Sequence, residues 1–251
     1  MKEEILYGIH PVFEALKAGR RKFLELYVSK DKVKGRVEEI IDFARSRKIP
    51  VKFVQSSQLA SSAGTNSHQG IGARTSIYPL EGLDELISGK HIGEGHLFLL
   101  LLDNIVDPQN LGALIRTALC SGVNGIIIPK DRSAMPTPSV SKASAGALEH
   151  IKMACVTNLV NAVKELKGNG VWIAGLDRSS NQVLYDSDLT GHLGIIVGGE
   201  DKGVRPLVVK NCDFLISIPQ TGPVNSLNAS VAGAVVMYEA LRQRQKAVKR
   251  S

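Results

Sequence analysis

From Leu97 onward, short apolar runs of strand length alternate with amphipathic stretches of helix length, and this alternation leaves few folds open. A chain of that pattern builds a parallel sheet covered by helices on both faces. Leu97–Asp103 reads Leu-Phe-Leu-Leu-Leu-Leu-Asp, nearly unbroken in apolar side chains, as a strand buried on both faces must be. Next, residues 110–121 carry Leu111, Leu114, Ile115, Ala118 and Leu119 on one helical stripe. Further strands are predicted at 125–128, 152–156, 171–175, 194–198 and 214–218. A last helix is predicted from Ser226 to Arg242, with Leu227, Val231, Ala234, Val235, Tyr238 and Leu241 at helical intervals.

The front third reads as a smaller α/β unit. Pro11 can open a helix that Gly19 stops, and Leu24 to Val28 reads as a strand. Val37, Ile40, Ile41 and Ala44 recur at helical spacing, with strands expected at 51–54 and 70–77. Residues 55–69, rich in Ser, Gln, Asn and Gly, read as a short helix and a loop. The expected division is residues 1–78 as a first domain, 79–96 as a glycine-rich linker around a short helical stretch, and 97–251 as the catalytic domain.

Charge follows the same division. Residues 1–80 hold 14 Lys/Arg against 8 Asp/Glu, residues 81–241 hold 12 against 16, and residues 242–251 add five cations without an acid. A basic front and tail around a mildly acidic middle is the electrostatic footprint of a polyanion's partner. No run reaches the length of a membrane helix, and Met1-Lys2-Glu3-Glu4 opens no secretion signal. Cys120, Cys155 and Cys212 are too scattered for a zinc site or a disulfide framework. A cytoplasmic protein without membrane or metal is therefore expected.

Conventional cofactor motifs are missing: Gly198-Gly-Glu-Asp-Lys-Gly203 is neither a P-loop nor a Rossmann turn, and no zincin or serine-hydrolase pattern occurs. Three polar clusters remain, each at the carboxyl end of a predicted strand, where an open parallel sheet binds its ligands. They are Leu102-Asp-Asn-Ile-Val-Asp-Pro-Gln-Asn-Leu-Gly-Ala-Leu-Ile-Arg-Thr117, Ile195-Ile-Val-Gly-Gly-Glu-Asp-Lys-Gly203, and Ile216-Ser-Ile-Pro-Gln-Thr-Gly-Pro-Val-Asn-Ser-Leu-Asn-Ala-Ser230. Each has a plainer reading too. Asn110 or Ser226 could cap a helix, and the glycines could only shape a turn. Arg116 is harder to dismiss, because it interrupts the apolar pairs Leu114-Ile115 and Ala118-Leu119 and a guanidinium keeps its charge when buried.

Taken together, in this order, the clusters resemble the three motifs of the SpoU, or TrmH, branch of the SPOUT RNA methyltransferases. Lys142-Ala-Ser-Ala-Gly-Ala-Leu-Glu149 fits the stretch between motifs one and two. Tyr7-Gly-Ile-His-Pro-Val-Phe-Glu-Ala-Leu16 and His68-Gln-Gly-Ile71 resemble the L30e-like domain of the ribosomal-RNA members. The pattern is most similar to the bacterial members that methylate a guanosine ribose in the P loop of 23S ribosomal RNA. The resemblance implies an α/β chain, an L30e-like domain followed by a SPOUT parallel-sheet domain with a C-terminal trefoil knot. It implies S-adenosylmethionine as cofactor, RNA as substrate, and a homodimer with active sites at the subunit interface. Carried over by position, Asn110, Arg116, Glu200, Ser226 and Asn228 are the catalytic set, and Gly198, Gly199, Ile218, Pro219 and Leu227 hold the cofactor. Arg116 would grip the phosphate beside the target ribose and polarise its 2′-OH. The charge clusters add Arg20, Arg21 and Lys22 as RNA contacts. Two alternatives stay open: the same chemistry on transfer RNA or another ribosomal site, and a non-catalytic RNA-binding assembly factor.

Overall fold

The computed structural model describes residues 2–88, 95–200, 202–223 and 226–248. Part of the expected linker, Asp201 and Asn225 of the motifs, and the last cations of the tail lie outside the described residues. The chain forms two compact units. One comprises Met1–Pro79 with Pro136–His150, the other Leu80–Met135 with Ile151–Ser251.

In the first unit the elements run β1 (Glu3–Tyr7), α1 (Ile9–Ala18), β2 (Phe23–Ser29), α2 (Arg36–Ser46), β3 (Val51–Val54), α3 (Ser56–Ala63) and β4 (Ile71–Ser76). The sheet order is β1-β4-β2-β3, antiparallel except for the parallel pair β2/β3. Its core gathers Leu6, Val12, Leu16, Leu26, Ile40 and Ile71, the apolar stripe of each helix meeting the inward residues of the strands. Helix α1 begins at Ile9, two residues ahead of Pro11, which sits in its first turn where a missing N–H costs nothing.

The sequence places residues 136–150 in the second unit, between two of its strands; the structure packs them into the first. The reason is a buried charge pair. Arg21, with no exposed side-chain surface, donates Nε to Glu149 Oε2 at 2.6 Å and Nη2 to Glu149 Oε1 at 3.1 Å. Its Nη1 reaches Glu4 and the Ser76 carbonyl oxygen, the latter at 3.0 Å. Glu149 Oε1 also accepts from the Ser141 hydroxyl at 2.7 Å, within its own segment, so each oxygen of the carboxylate has a donor. A bidentate, fully hydrogen-bonded pair is the form in which a guanidinium tolerates burial. Arg21 is therefore corrected from an RNA contact to an internal strut. Its neighbour Arg20 is half-buried and donates to the Tyr78 hydroxyl at 2.9 Å and to the Pro79 carbonyl at 3.3 Å. Burial pushes the Tyr78 phenol up to about 12. Of the three expected RNA contacts in this cluster, Lys22 alone is exposed.

The second unit contains α4 (Leu83–Ser88), β5 (Phe98–Asp103), α5 (Pro108–Cys120) and β6 (Gly125–Pro129). After α6 (Pro138–Ala143), which belongs to the first unit, come β7 (Lys152–Val156), α7 (Leu159–Gly168), β8 (Trp172–Leu176), β9 (Leu193–Gly198), α8 (Pro206–Val209), β10 (Phe214–Ile216) and α9 (Ala229–Val248). All six strands are parallel, in the order β10-β8-β9-β5-β6-β7. The chain lays down β5, β6 and β7 toward one edge, returns with β8, and inserts β9 between β8 and β5. Every residue of β5 is buried. The start of the expected linker is not free chain: Glu81 bridges to Ala154, and Leu86 of α4 is buried in the core with Leu99, Ile127 and Ala154.

Arg21→Ala should cost about 3–5 kcal/mol of stability, because it strands buried carboxylates without their counter-charge. Lys22→Ala should stay within about 0.5 kcal/mol. The deficit of the Arg21 variant should shrink as pH falls, since burial already raises the Glu4 carboxyl and the loss of Arg21 removes the charge that opposes that rise. Denaturant melts of both variants across pH check this; a wild-type midpoint for Arg21→Ala would remove the strut.

Candidate active site

Motif one leaves β5 at Asp103 and motif two leaves β9 at Gly198, and these two residues face each other in the ladder. Asp103 is wholly buried and closes motif two from both ends. Its carbonyl accepts from Gly199 N–H at 2.9 Å, while its carboxylate accepts from Arg205 N–H at 2.8 Å, Nε at 2.8 Å and Nη2 at 2.7 Å. Between those anchors Gly203 N–H returns to the Gly199 carbonyl at 2.9 Å. The turn is too tight for side chains. A Cβ on Gly198 would lie 2.1 Å from the Gly203 carbonyl carbon, and one on Gly199 would lie 2.4 Å from the Asn104 carbonyl oxygen. Asn104 turns the chain with a φ of 61°, and its buried Oδ1 has no donor among the described residues.

The same edge collects three motif side chains. Asn110 Nδ2 donates to Glu200 Oε1 at 2.8 Å, and Asn228 Nδ2 donates to Asn110 Oδ1 at 3.0 Å and to Glu200 Oε1. The helix caps explain how the asparagines are held. Asp107, not Asn110, caps α5, accepting from Gln109 N–H at 3.1 Å and Asn110 N–H at 3.2 Å with Pro108 at the first position. Asn110 is thereby free to reach motif two. At α9 the cap is Asn228 rather than Ser226: its Oδ1 accepts from Ser230 N–H at 2.9 Å and Val231 N–H at 3.3 Å. One amide thus fixes a helix start with its oxygen and the polar cluster with its nitrogen.

Beside this cluster lies a cavity of about 270 Å³ at the carboxyl ends of β8, β9 and β10. Gly198, Gly199, Glu200, Ile218, Ser226 and Leu227 line it, so six of the ten residues expected for catalysis or cofactor meet there. Leu176, Val197 and Ile216 give it an apolar wall, and Asp177, Arg178, Lys202 and Gln220 add polar groups. Pro219 is not among its walls. Arg116 joins neither the cavity nor the cluster. It is exposed on α5, opposite the buried stripe of Leu111, Leu114, Ile115 and Ala118, and has no hydrogen bond or ion pair among the described residues. Its interruption of the apolar pattern is ordinary helical periodicity. Two residues of this edge were missed, Asp103 and Arg205; an acid ending an otherwise apolar strand was the available signal. Among the described residues no group of His, Cys, Asp and Glu could hold a metal, and no helix is long and apolar enough to cross a membrane.

Residues 97–238 match the SpoU rRNA methylase family, and residues 5–80 match the RNA 2′-O ribose methyltransferase substrate-binding family. YacO of Bacillus subtilis, assigned to the TrmH family of tRNA/rRNA methyltransferases, is 39% identical over 243 residues, 97% of each chain. Among solved structures, an AdoMet-bound rRNA methyltransferase from Sinorhizobium meliloti superposes with a TM-score of 0.79 at 23% identity, covering 96% of this chain and 87% of that one. A TrmH/SpoU tRNA-modifying enzyme of A. aeolicus superposes with a TM-score of 0.56 at 27% identity, covering 66% of this chain and 82% of that one. The protein belongs to the SpoU rRNA methylase family. It is accordingly an enzyme of the RNA 2′-O-ribose methyltransferase class, whose cofactor is S-adenosylmethionine.

Asp103→Asn keeps an acceptor for Arg205 but removes the charge that clasps motif two. It should weaken S-adenosylmethionine binding by about tenfold, near 1.4 kcal/mol, while turnover at saturating cofactor changes less. Calorimetric titration and a KM-against-kcat comparison test this; an unaltered cofactor affinity would detach the clasp from the pocket.

Proposed function

We propose that this chain methylates the 2′-OH of a ribose in 23S ribosomal RNA, a guanosine of the peptidyl-transferase P loop, working as a cytoplasmic homodimer. The observation that carries the catalytic part is the meeting of Asn110, Glu200 and Asn228 beside the cavity lined by Gly198, Gly199, Ile218 and Leu227. The ribosomal part rests on two supports. The front unit matches a substrate-binding family along residues 5–80, and the ribosomal-RNA methyltransferase of S. meliloti aligns with nearly the whole chain, whereas the tRNA enzyme of A. aeolicus aligns with two thirds of it.

The cavity suits the cofactor on its own terms. Its apolar wall fits a flat base, its polar residues fit a ribose and an amino-acid end, and the two glycines permit the tight turn that forms its rim. Bound there, S-adenosylmethionine supplies an already activated methyl group, so the protein's task is alignment rather than activation. Glu200 and the two asparagines hold a fixed polar surface against which a nucleotide can be placed, worth several kcal/mol through orientation alone. Arg116 grips the neighbouring phosphate and polarises the hydroxyl; a guanidinium is a poor base, so polarisation is its role. Ser226, exposed at the cavity mouth, contacts the incoming nucleotide. The knotted passage of the C-terminal segment is part of the same reading.

Arg116 lies off the cavity of its own chain and has no partner among the described residues, which favours its action on the site of a second copy. Arg116→Ala should nearly abolish methyl transfer without changing cofactor affinity, and Arg116→Lys should rescue it poorly, because a point charge does not reproduce a planar fork. Mixing Arg116→Ala with a chain whose cavity is blocked by Leu227→Glu should restore about a quarter of wild-type turnover, since half of the random dimers are mixed and each holds one intact site. No recovery on mixing would place Arg116 in cis or outside the mechanism. Mapping ribose methylation in ribosomal RNA from cells with and without the protein tests the substrate; loss of a transfer-RNA mark instead would overturn the ribosomal assignment.

A further inference from the structure

With Arg20 and Arg21 engaged inside the first unit, the free positive charge of that unit lies elsewhere. It gathers around the turn between α3 and β4. His68 is buried there, and its Nδ1 accepts from Gly70 N–H at 3.0 Å. Gln69 between them takes a φ of 58°, left-handed backbone that a residue with a side chain adopts only when its surroundings hold it there. What holds it is its own amide. Gln69 Oε1 accepts from Ile9 N–H at 3.2 Å and from the Lys142 ammonium. The amide nitrogen of Gln69 is then left as a donor.

Lys142 comes from α6, on the segment that Glu149 and Arg21 fasten into this unit. Among the described residues its ammonium has no carboxylate partner, and burial lowers its pKa, so its charge is partly dehydrated and uncancelled. Lys32 closes on the other side of the turn: a Cβ on Gly70 would lie 2.4 Å from Lys32 Cβ. On the near side, a Cβ on Gly8 would lie 2.8 Å from Lys142 Nζ. Gly8 and Gly70, with φ of 97° and 84°, therefore let both lysines approach the turn. Lys32 sits in the run Lys30-Asp-Lys-Val-Lys-Gly-Arg36, four cations against the single acid Asp31, whose carboxylate accepts from the Ser29 hydroxyl. The acid near α6, Glu14, is engaged by His150 at 2.8 Å. Cations outnumber carboxylates around the turn even with Asp31 counted against Lys32.

We propose that Lys142, Lys32 and the Gln69 amide form an RNA-backbone site of the first unit, in which Lys142 is the principal phosphate anchor. Two lysines rooted on either side of an amide donor suit a phosphodiester, which positions an RNA without reading its sequence. The site is built jointly by three stretches far apart in sequence. It rests on the RNA-methylating reading above and adds where the substrate is held.

The test uses the full chain and a fluorescein-labelled transcript of the peptidyl-transferase region of 23S RNA, with anisotropy measured over a salt series. Lys142→Ala and Lys32→Ala should each weaken binding several-fold and flatten the slope of log affinity against log salt by roughly 0.7, the double variant by roughly twice that. Lys142→Arg should restore most of the slope. Melting temperature and S-adenosylmethionine affinity should stay at wild type in all four. A wild-type slope in the double variant would overturn the proposal while leaving the enzyme's assignment intact. Loss confined to Lys142→Ala and accompanied by a lowered melting temperature would also overturn it, reducing Lys142 to a packing role. A wild-type protein that binds no RNA would sink the functional reading itself.

Discussion

The insertion of β9 between β8 and β5 is the constraint on which the catalytic unit depends. It places Gly198 opposite Asp103, so two motifs separated by almost a hundred residues leave the sheet side by side. The central strands are buried along nearly their whole length, which fixes their register through the apolar core. Polar chemistry is then confined to the carboxyl edge, where the ladder ends and backbone groups become available. Asp103 uses that position twice, its carbonyl for the ladder's last rung and its carboxylate for Arg205. The tightness of the Gly198–Gly203 turn follows from this double anchorage.

A second constraint governs the first unit. The Arg21–Glu149 pair makes a segment from the middle of the chain part of the front core. A buried guanidinium left alone is costly enough that its partner is in effect obligatory. The chain therefore passes between the units three times, at residues 79–80, 135–136 and 150–151. Lys142 and Ser141 reach the first unit by the same route.

Much of this was legible in the sequence. The alternation after Leu97 gave the parallel sheet, and each predicted strand of that unit was found within two residues of its expected ends. Asn110, Glu200 and Asn228 were singled out from three separate motifs and meet in space. What was not legible has physical causes. A run such as Arg20-Arg21-Lys22 reads as solvated surface, because its buried carboxylate partner lies 128 residues away from Arg21. Residues 136–150 were read with the second unit because they lie between two of its strands in sequence, whereas the contact that draws them into the first, Arg21 to Glu149, is long-range. The short helical stretch read inside the glycine-rich linker is α4, and what the glycines hid is that its Leu86 is a core residue. The plainer reading of Asn110 and Ser226 as helix caps fails because Asp107 and Asn228 take those helix ends, a choice that chain geometry decides.

The caps show why the site uses amides at positions where a hydroxyl would cap equally well. A serine at 228 could satisfy the first N–H groups of α9 with its oxygen, but it would have one proton to offer and a shorter reach. Asn228 caps the helix with its carbonyl and still presents two N–H donors, one face to Asn110 and Glu200. Helix α9 and the polar cluster are then fixed by a single planar group, and neither can shift without the other. Asp107 plays the complementary part at α5, taking over the cap so that Asn110 can spend its whole amide on the cluster. The arrangement is thus preorganised by helix termini rather than by burial, which allows Glu200 and Asn228 to remain exposed to an incoming polynucleotide while holding a fixed geometry.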